Sequence, residues 1–292
     1  MSASALRLLA PTAFAVAALG FAPLAKKAAL VAGAGPLPVA IASAWFSALI
    51  VLGWMTLRGR AARLFRLTDR QRLAVLTVGA LGSGIVPLLA VLAMTETSAS
   101  NRALFQSAYP AATAIAAGWL LGERLPASGY ALIAVVCAGL ALVNVDFEAA
   151  GIGLGWPFWA LLATLPLIGL ADVIAKRSLS ALSPEVVAAG RAFGGAAVLL
   201  LAVPLTGAAT WSAAAPAAGW ILLAGACMAG FAIGLYHVFG MTRASIAAAL
   251  IALAPLVTLT AETALLNVAL RPLQGVGFAV VLAAVIALAR QA

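Results

Sequence analysis

The sequence predicts an all-α membrane protein of ten transmembrane helices, arranged as two inverted five-helix repeats, and three observations carry that expectation. Of its 292 residues 65% are apolar and only 9% charged, against about 25% charged in soluble domains, too few to dress an aqueous surface. The apolar residues fall in runs of roughly twenty, the length that crosses a hydrocarbon core about 30 Å thick. The second half of the chain also echoes the first at a nearly constant offset.

Charges and Gly/Pro punctuation divide the runs in order. The first, 8–30, follows Arg7 and imitates a signal peptide with Ala22-Pro23-Leu24-Ala25 as a poor cleavage site; the proline there, and the repeat, favour an uncleaved helix. The second, 38–57, follows Gly35-Pro36 and stops at Arg58, and the third, 73–95, lies between Arg72 and Glu96. The fourth, 100–121, opens at Ser100 and halts at Gly122, and the fifth, 126–145, starts at Pro126. The sixth, 155–175, is closed by Lys176-Arg177; the seventh, 185–205, follows Ser183-Pro184; and the eighth spans 217–239. The ninth, 245–267, follows Arg243, and the tenth, 272–289, runs from Pro272 to Arg290. Each run is too long and too uniformly apolar for the strands of an outer-membrane barrel.

The formal charge of +9 is set by 17 Lys and Arg that lie between apolar runs rather than on a basic face, so topology explains them better than nucleic acid does. Arg58, Arg60, Arg63, Arg66, Arg70 and Arg72 crowd one loop against Asp69 alone, which makes that loop cytoplasmic. Threading from it puts thirteen of the 17 cations on the cytoplasmic side, with Lys26, Lys27, Arg102 and Arg271 near the other. Both termini are then cytoplasmic. Cys137 and Cys227 sit in apolar runs without CxxC or His-rich spacing, so no metal is expected.

The repeat is visible residue by residue. Thr97-Ser98-Ala99-Ser100-Asn101-Arg102-Ala103 returns as Thr242-Arg243-Ala244-Ser245-Ile246-Ala247-Ala248, and at the same offset of 145 Pro110 meets Pro255, Thr113 meets Thr258 and Leu125 meets Leu270. Gly20 to Lys27 resembles Gly169 to Lys176, which pairs Lys27 with Lys176. The halves are expected at 1–147 and 148–292. Five helices per half put the second half into the membrane upside down relative to the first.

These residues resemble the drug/metabolite transporter superfamily, specifically the EamA-type ten-helix permeases, over nearly the whole chain. The likeness rests on Gly20–Lys27, Thr97–Ala103, Pro110, the run Leu120-Leu121-Gly122-Glu123-Arg124-Leu125, and Gly139 sixteen residues after the Glu. The second half departs from the pattern at Asn267-Val268 and Ala284, and the first at Leu19. The resemblance implies an inner-membrane secondary transporter that moves small metabolites outward, often amino acids or related compounds, by alternating access. Independently, the chain has no GxxxxGK[ST] phosphate loop, and one histidine without a soluble scaffold argues against an enzyme. No cofactor is expected. The partners are a small-molecule substrate, the lipid bilayer and protons, with a monomer as the functional unit; the competing readings are an importer or lipid-type carrier, and a membrane scaffold or sensor with no flux.

Ionisable groups within lipid-spanning helices cost about 2.5–3.5 kcal/mol on insertion scales, so each needs a partner or a purpose. Glu262 shares a helix face with Pro255 and Thr258; it either lines the path as a protonatable carboxylate or reaches the outer interface near Arg271. His237 titrates in the physiological range, though a lone histidine is more often packed and hydrogen-bonded. Asp172 stands four residues before Lys176, the spacing of an intrahelical ion pair. Lys27, Arg191 and Glu96 read as helix-end residues that snorkel, while Lys27 and Lys176 together could receive a substrate carboxylate at each gate. Gln106, Tyr109 and Thr113 form a polar stripe on the fourth helix, for a substrate cavity or for helix–helix bonding. Ser100 and Ser245 read as helix N-caps. Trp45 and Trp159 could present flat surfaces to an apolar solute, whereas Trp156, Trp211 and Trp220 fit an interfacial belt. Gly79, Gly82, Gly84, Gly190, Gly194 and Gly195 read as close-packing positions.

Overall fold

A computed structural model of the chain describes residues 3–93, 96, 105–144, 154–205, 211, 214–266 and 271–290. Among these the regular structure is helical throughout and contains no strand. In order come α1 (Ala3–Val31), α2 (Pro36–Leu57), the short α3 (Ala62–Phe65), α4 (Asp69–Gly79), a π-helical turn (Ala80–Ile85), α5 (Val86–Ala93), α6 (Tyr109–Leu120) and α7 (Ala127–Asn144). They are followed by α8 (Trp156–Ser178), α9 (Pro184–Leu200), α10 (Ala218–Met241), α11 (Ala244–Ile251), α12 (Ala254–Leu266) and α13 (Pro272–Ala289). Six of the described helical stretches are long and apolar enough to span a membrane: Leu8–Val31, Pro36–Leu57, Asp69–Ala90, Trp156–Ser178, Ala215–Met241 and Ala244–Ala264. The first copy of the repeated motif, Thr97 to Ala103 with Ser100, Asn101 and Arg102, lies outside the described residues, as do Asn267-Val268, Leu270 and the junction at 147/148.

Two compact units are formed, and neither is a continuous stretch of chain. The first joins Met1–Leu88 to Ile174–Gly240. In it α9 packs on α2, α4 and the π-helical turn. Glycine makes the approach possible: a side chain at Gly79 would strike the Gly190 and Arg191 carbonyls, and one at Gly194 the Leu76 carbonyl. Small residues let helix backbones come together where lipid supplies no hydrophobic drive. α10 follows the same rule, with Gly225 against Phe46 and Gly234 against Ala15. Ala29, Val39, Ala217 and Ile221 close one end of this unit with apolar contacts.

The second unit joins Leu89–Val173 to Met241–Ala292. Here α13 lies along α7 and α11 along α6. α7 and α13 each have 18 residues, with their first and last residues both 145 positions apart. They cross where a Cβ on Gly139 would meet Val281 at 2.7 Å and one on Gly277 the Gly139 carbonyl at 2.7 Å. Ala90, Ala93 and Leu161 form a further apolar cluster capped by Phe105, whose ring meets Phe158 edge-on at 5.4 Å.

Two expected helices are interrupted and a third is distorted. The ninth is two pieces, α11 and α12, separated by Ala252-Leu253 immediately before Pro255, and in the fourth a turn at Ala108 precedes Pro110. Proline supplies no N–H to the carbonyl four residues back and its ring crowds that carbonyl, so the ladder breaks there. The third is continuous but carries the π turn at Ala80–Ile85. Such turns insert a residue and rotate the helix beyond them.

Candidate substrate site

The first unit encloses a cavity of about 70 Å³ among α1, α2, the π turn, α9 and α10. Its polar wall is Lys26, Ser43, Ser47, Ser83 and Arg191, and Phe231 lies on the apolar side. Arg191 dominates it. α9 begins at Pro184, so Arg191 stands two turns inside the helix and is only 6% exposed. Its Nε donates to Ser83 Oγ at 2.8 Å and its Nη1 to the Tyr236 hydroxyl at 3.0 Å. Phe231 and Tyr236 flank the guanidinium, with ring centroids 5.5 and 5.9 Å from Cζ. Together the two hydroxyls and two ring faces fix the orientation of a planar group that is always charged. Ser83 reaches it because the π turn places that residue opposite Gly195 of α9. The snorkelling expected of Arg191 is therefore corrected: the side chain is buried and turns inward to Ser83 and Tyr236.

One end of this unit is fastened by polar contacts. Arg60, after α2, forms an ion pair with Glu185 in the first turn of α9, where an acidic group also suits the helix dipole. Lys176 Nζ donates to the Phe239 carbonyl at 2.6 Å, near the last turn of α10. His237 Nδ1 lies 2.7 Å from the Ile233 carbonyl, which can only accept, so that nitrogen carries the proton.

The second unit holds a different polar cluster. Asp172 of α8 is 1% exposed, and its Oδ2 accepts from the Tyr109 hydroxyl at 2.7 Å and from Thr113 Oγ1 at 2.8 Å. Gly169, one turn earlier, brings α8 against α6: a Cβ there would come within 2.9 Å of the Ala112 carbonyl. Tyr109 and Thr113 of the expected stripe thus converge on one carboxylate, while Gln106 is exposed. Thr258 is half-buried and donates to the Ala254 carbonyl of its own helix, and Glu262 lies half-buried one turn on.

The remaining candidates are placed separately. Lys27 is exposed, and it is its neighbour Lys26 that lines the cavity. Trp159 is 58% exposed; Trp45 is half-buried, with its Nε1 enclosed and no acceptor for it among the described residues. Trp156 Nε1 donates to Glu96 at 2.7 Å. Ser245 does not cap α11: its side chain is buried, and the Ala244 N–H at that helix end donates instead to Glu123 Oε2 at 2.7 Å. A carboxylate satisfies a helix N-terminus better than a hydroxyl one position too far in. Gly122, with φ +68°, makes the turn that presents Glu123. Sequence reasoning left Lys26, Ser83 and Tyr236 out of the site, and the one available signal was the Gly-Ser-Gly run at 82–84 inside an apolar helix.

Long apolar helices with buried polar clusters define a multi-pass α-helical membrane protein. Residues 8–145, just under half of the chain, match the EamA-like transporter family, a match that supports the drug/metabolite transporter superfamily. A solved structure described only as "Crystal structure of protein" is similar, with a TM-score of 0.77 at 18% identity over 100% of this chain and 99% of that one, a likeness of fold. No curated protein matches the sequence.

Proposed function

We propose that this protein is a secondary transporter that exports small organic metabolites such as amino acids across the bacterial inner membrane by alternating access. Its halves, 1–147 and 148–292, would be inverted five-helix repeats, making ten spans with both termini cytoplasmic. The observation that carries the reading is the dual parentage of the cavity: Lys26, Ser43, Ser47 and Ser83 come from the first half, Arg191 and Phe231 from the second. A site shared by two related halves can be exposed by each in turn. Two further features support it. α7 and α13, equivalent in the proposed repeat, pack on each other, and the helix breaks before Pro110 and Pro255 lie 145 residues apart, discontinuous helices being a recurrent feature of secondary transporters.

Protons are the proposed coupling ion, with Asp172 favoured over Glu262 and His237 because it is the most buried of the three. A carboxylate that must gain and lose charge within lipid needs hydroxyl partners such as Tyr109 and Thr113. The deciding experiment is flux from liposomes. Full-length protein in vesicles loaded with radiolabelled amino acids and other small metabolites should release at least one of them faster than protein-free vesicles, and faster still under a proton gradient. Retention of every solute tested would overturn the reading in favour of a scaffold or sensor.

A further inference from the structure

We propose that the cavity of the first unit is a carboxylate site, and that the transported solute is a small organic acid of about two to four carbons seated on Arg191 and Lys26; the solute's transport, though not its binding, rests on the reading above. Two cations line the one cavity, and among its described lining residues there is no carboxylate. An anion in this cavity meets two positively charged side chains on its wall, and charge-assisted contacts are the strong ones.

The geometry favours a carboxylate in particular. Ser83, Tyr236 and Phe231 hold the Arg191 guanidinium in a fixed plane, and a preset plane is what recognises a planar carboxylate through parallel N–H···O bonds. Ser43 and Ser47, both buried, add hydroxyls on the α2 side. The remaining wall, including Pro87, Met228 and Phe231, is apolar and suits a short aliphatic chain. A cavity of about 70 Å³ is of a size to seat a carboxylate with a few carbons.

Thermal unfolding of the detergent-purified full-length protein tests the site without requiring transport. Acetate, lactate and succinate are titrated at constant ionic strength, with lactamide as the uncharged isostere of lactate and inorganic phosphate as the competing anion. At least one carboxylate should raise Tm saturably, and lactamide should not. Lys26→Gln should weaken the apparent affinity about tenfold, as loss of one charge-assisted contact implies, and Arg191→Gln should abolish the effect. Arg70→Gln, which removes an exposed cation in the first turn of α4, should leave it intact. Because Arg191 is buried and hydrogen-bonded, its variant could fail to fold, and Lys26→Gln then decides the matter. Protection by none of the three acids, equal protection by lactamide, protection by phosphate alone, or a wild-type response in Lys26→Gln would each overturn the proposal. Carboxylate binding without flux in liposomes would overturn the transport reading and leave the site standing, whereas flux of neutral solutes without carboxylate protection would do the reverse.

Discussion

Individual side chains in this protein are fixed by where a helix starts. Arg191 was legible as an ionisable residue needing a partner, but not as a buried one, because its depth depends on α9 opening at Pro184 and on Ser83 being turned toward it. Asp172 was legible as costly and Tyr109 and Thr113 as a polar stripe; that the three meet required the close approach of α8 and α6 at Gly169. Each hydroxyl is expected to contribute about 0.6–2 kcal/mol, the range for hydrogen bonds between membrane helices. Tyr109→Phe and Thr113→Val should each lower stability by that amount in denaturant titrations, and the double variant by less than the sum if they share one acceptor. Glu123 offers a sharper case. Removing its carboxylate strands the Ala244 N–H, so Glu123→Ala should cost about 1–3 kcal/mol, while Glu123→Gln, whose amide oxygen still accepts, should recover most of it.

Helices were legible as apolar runs, and their interruptions were not. A window of hydrophobicity reads through Pro110, Pro255 and the π turn alike, since none lowers the apolar content. The prolines were noticed as repeat markers; their mechanical effect on the helix became visible only in the backbone. Glycine roles divide in the same way. Gly194 faces the Leu76 carbonyl, whereas Gly53 has nothing within 4 Å of the position of an added Cβ. Gly194→Leu should therefore prevent α9 from seating, seen as loss of monodisperse protein in size-exclusion chromatography. Gly53→Ala should be neutral or stabilising by about 0.5–1 kcal/mol through helix propensity.

Over the full chain, the constant offset of 145 residues was legible, and α7 and α13 begin and end at that same offset. The interleaving was not, because similarity between segments says nothing about which of them touch. The first unit joins Met1–Leu88 to Ile174–Gly240 and the second Leu89–Val173 to Met241–Ala292, so each draws on both of the proposed halves. Neither proposed half contains a complete unit. Residues 1–147 expressed alone should be degraded, and co-expression with 148–292 should restore both polypeptides to a detergent-stable complex, measured by co-purification through a tag on one of them.

The packing of α9 also sets a timetable for synthesis. α2, α4 and the π turn emerge early, yet Pro184–Leu200, which packs on all three, is made much later. At about 5–20 residues per second, the interval between the end of the first segment and the arrival of α9 is roughly 5–20 s. During that interval Ser83 is without the Arg191 guanidinium that it accepts from in the finished fold, and the cavity lined by Ser43 and Ser47 is without its α9 wall.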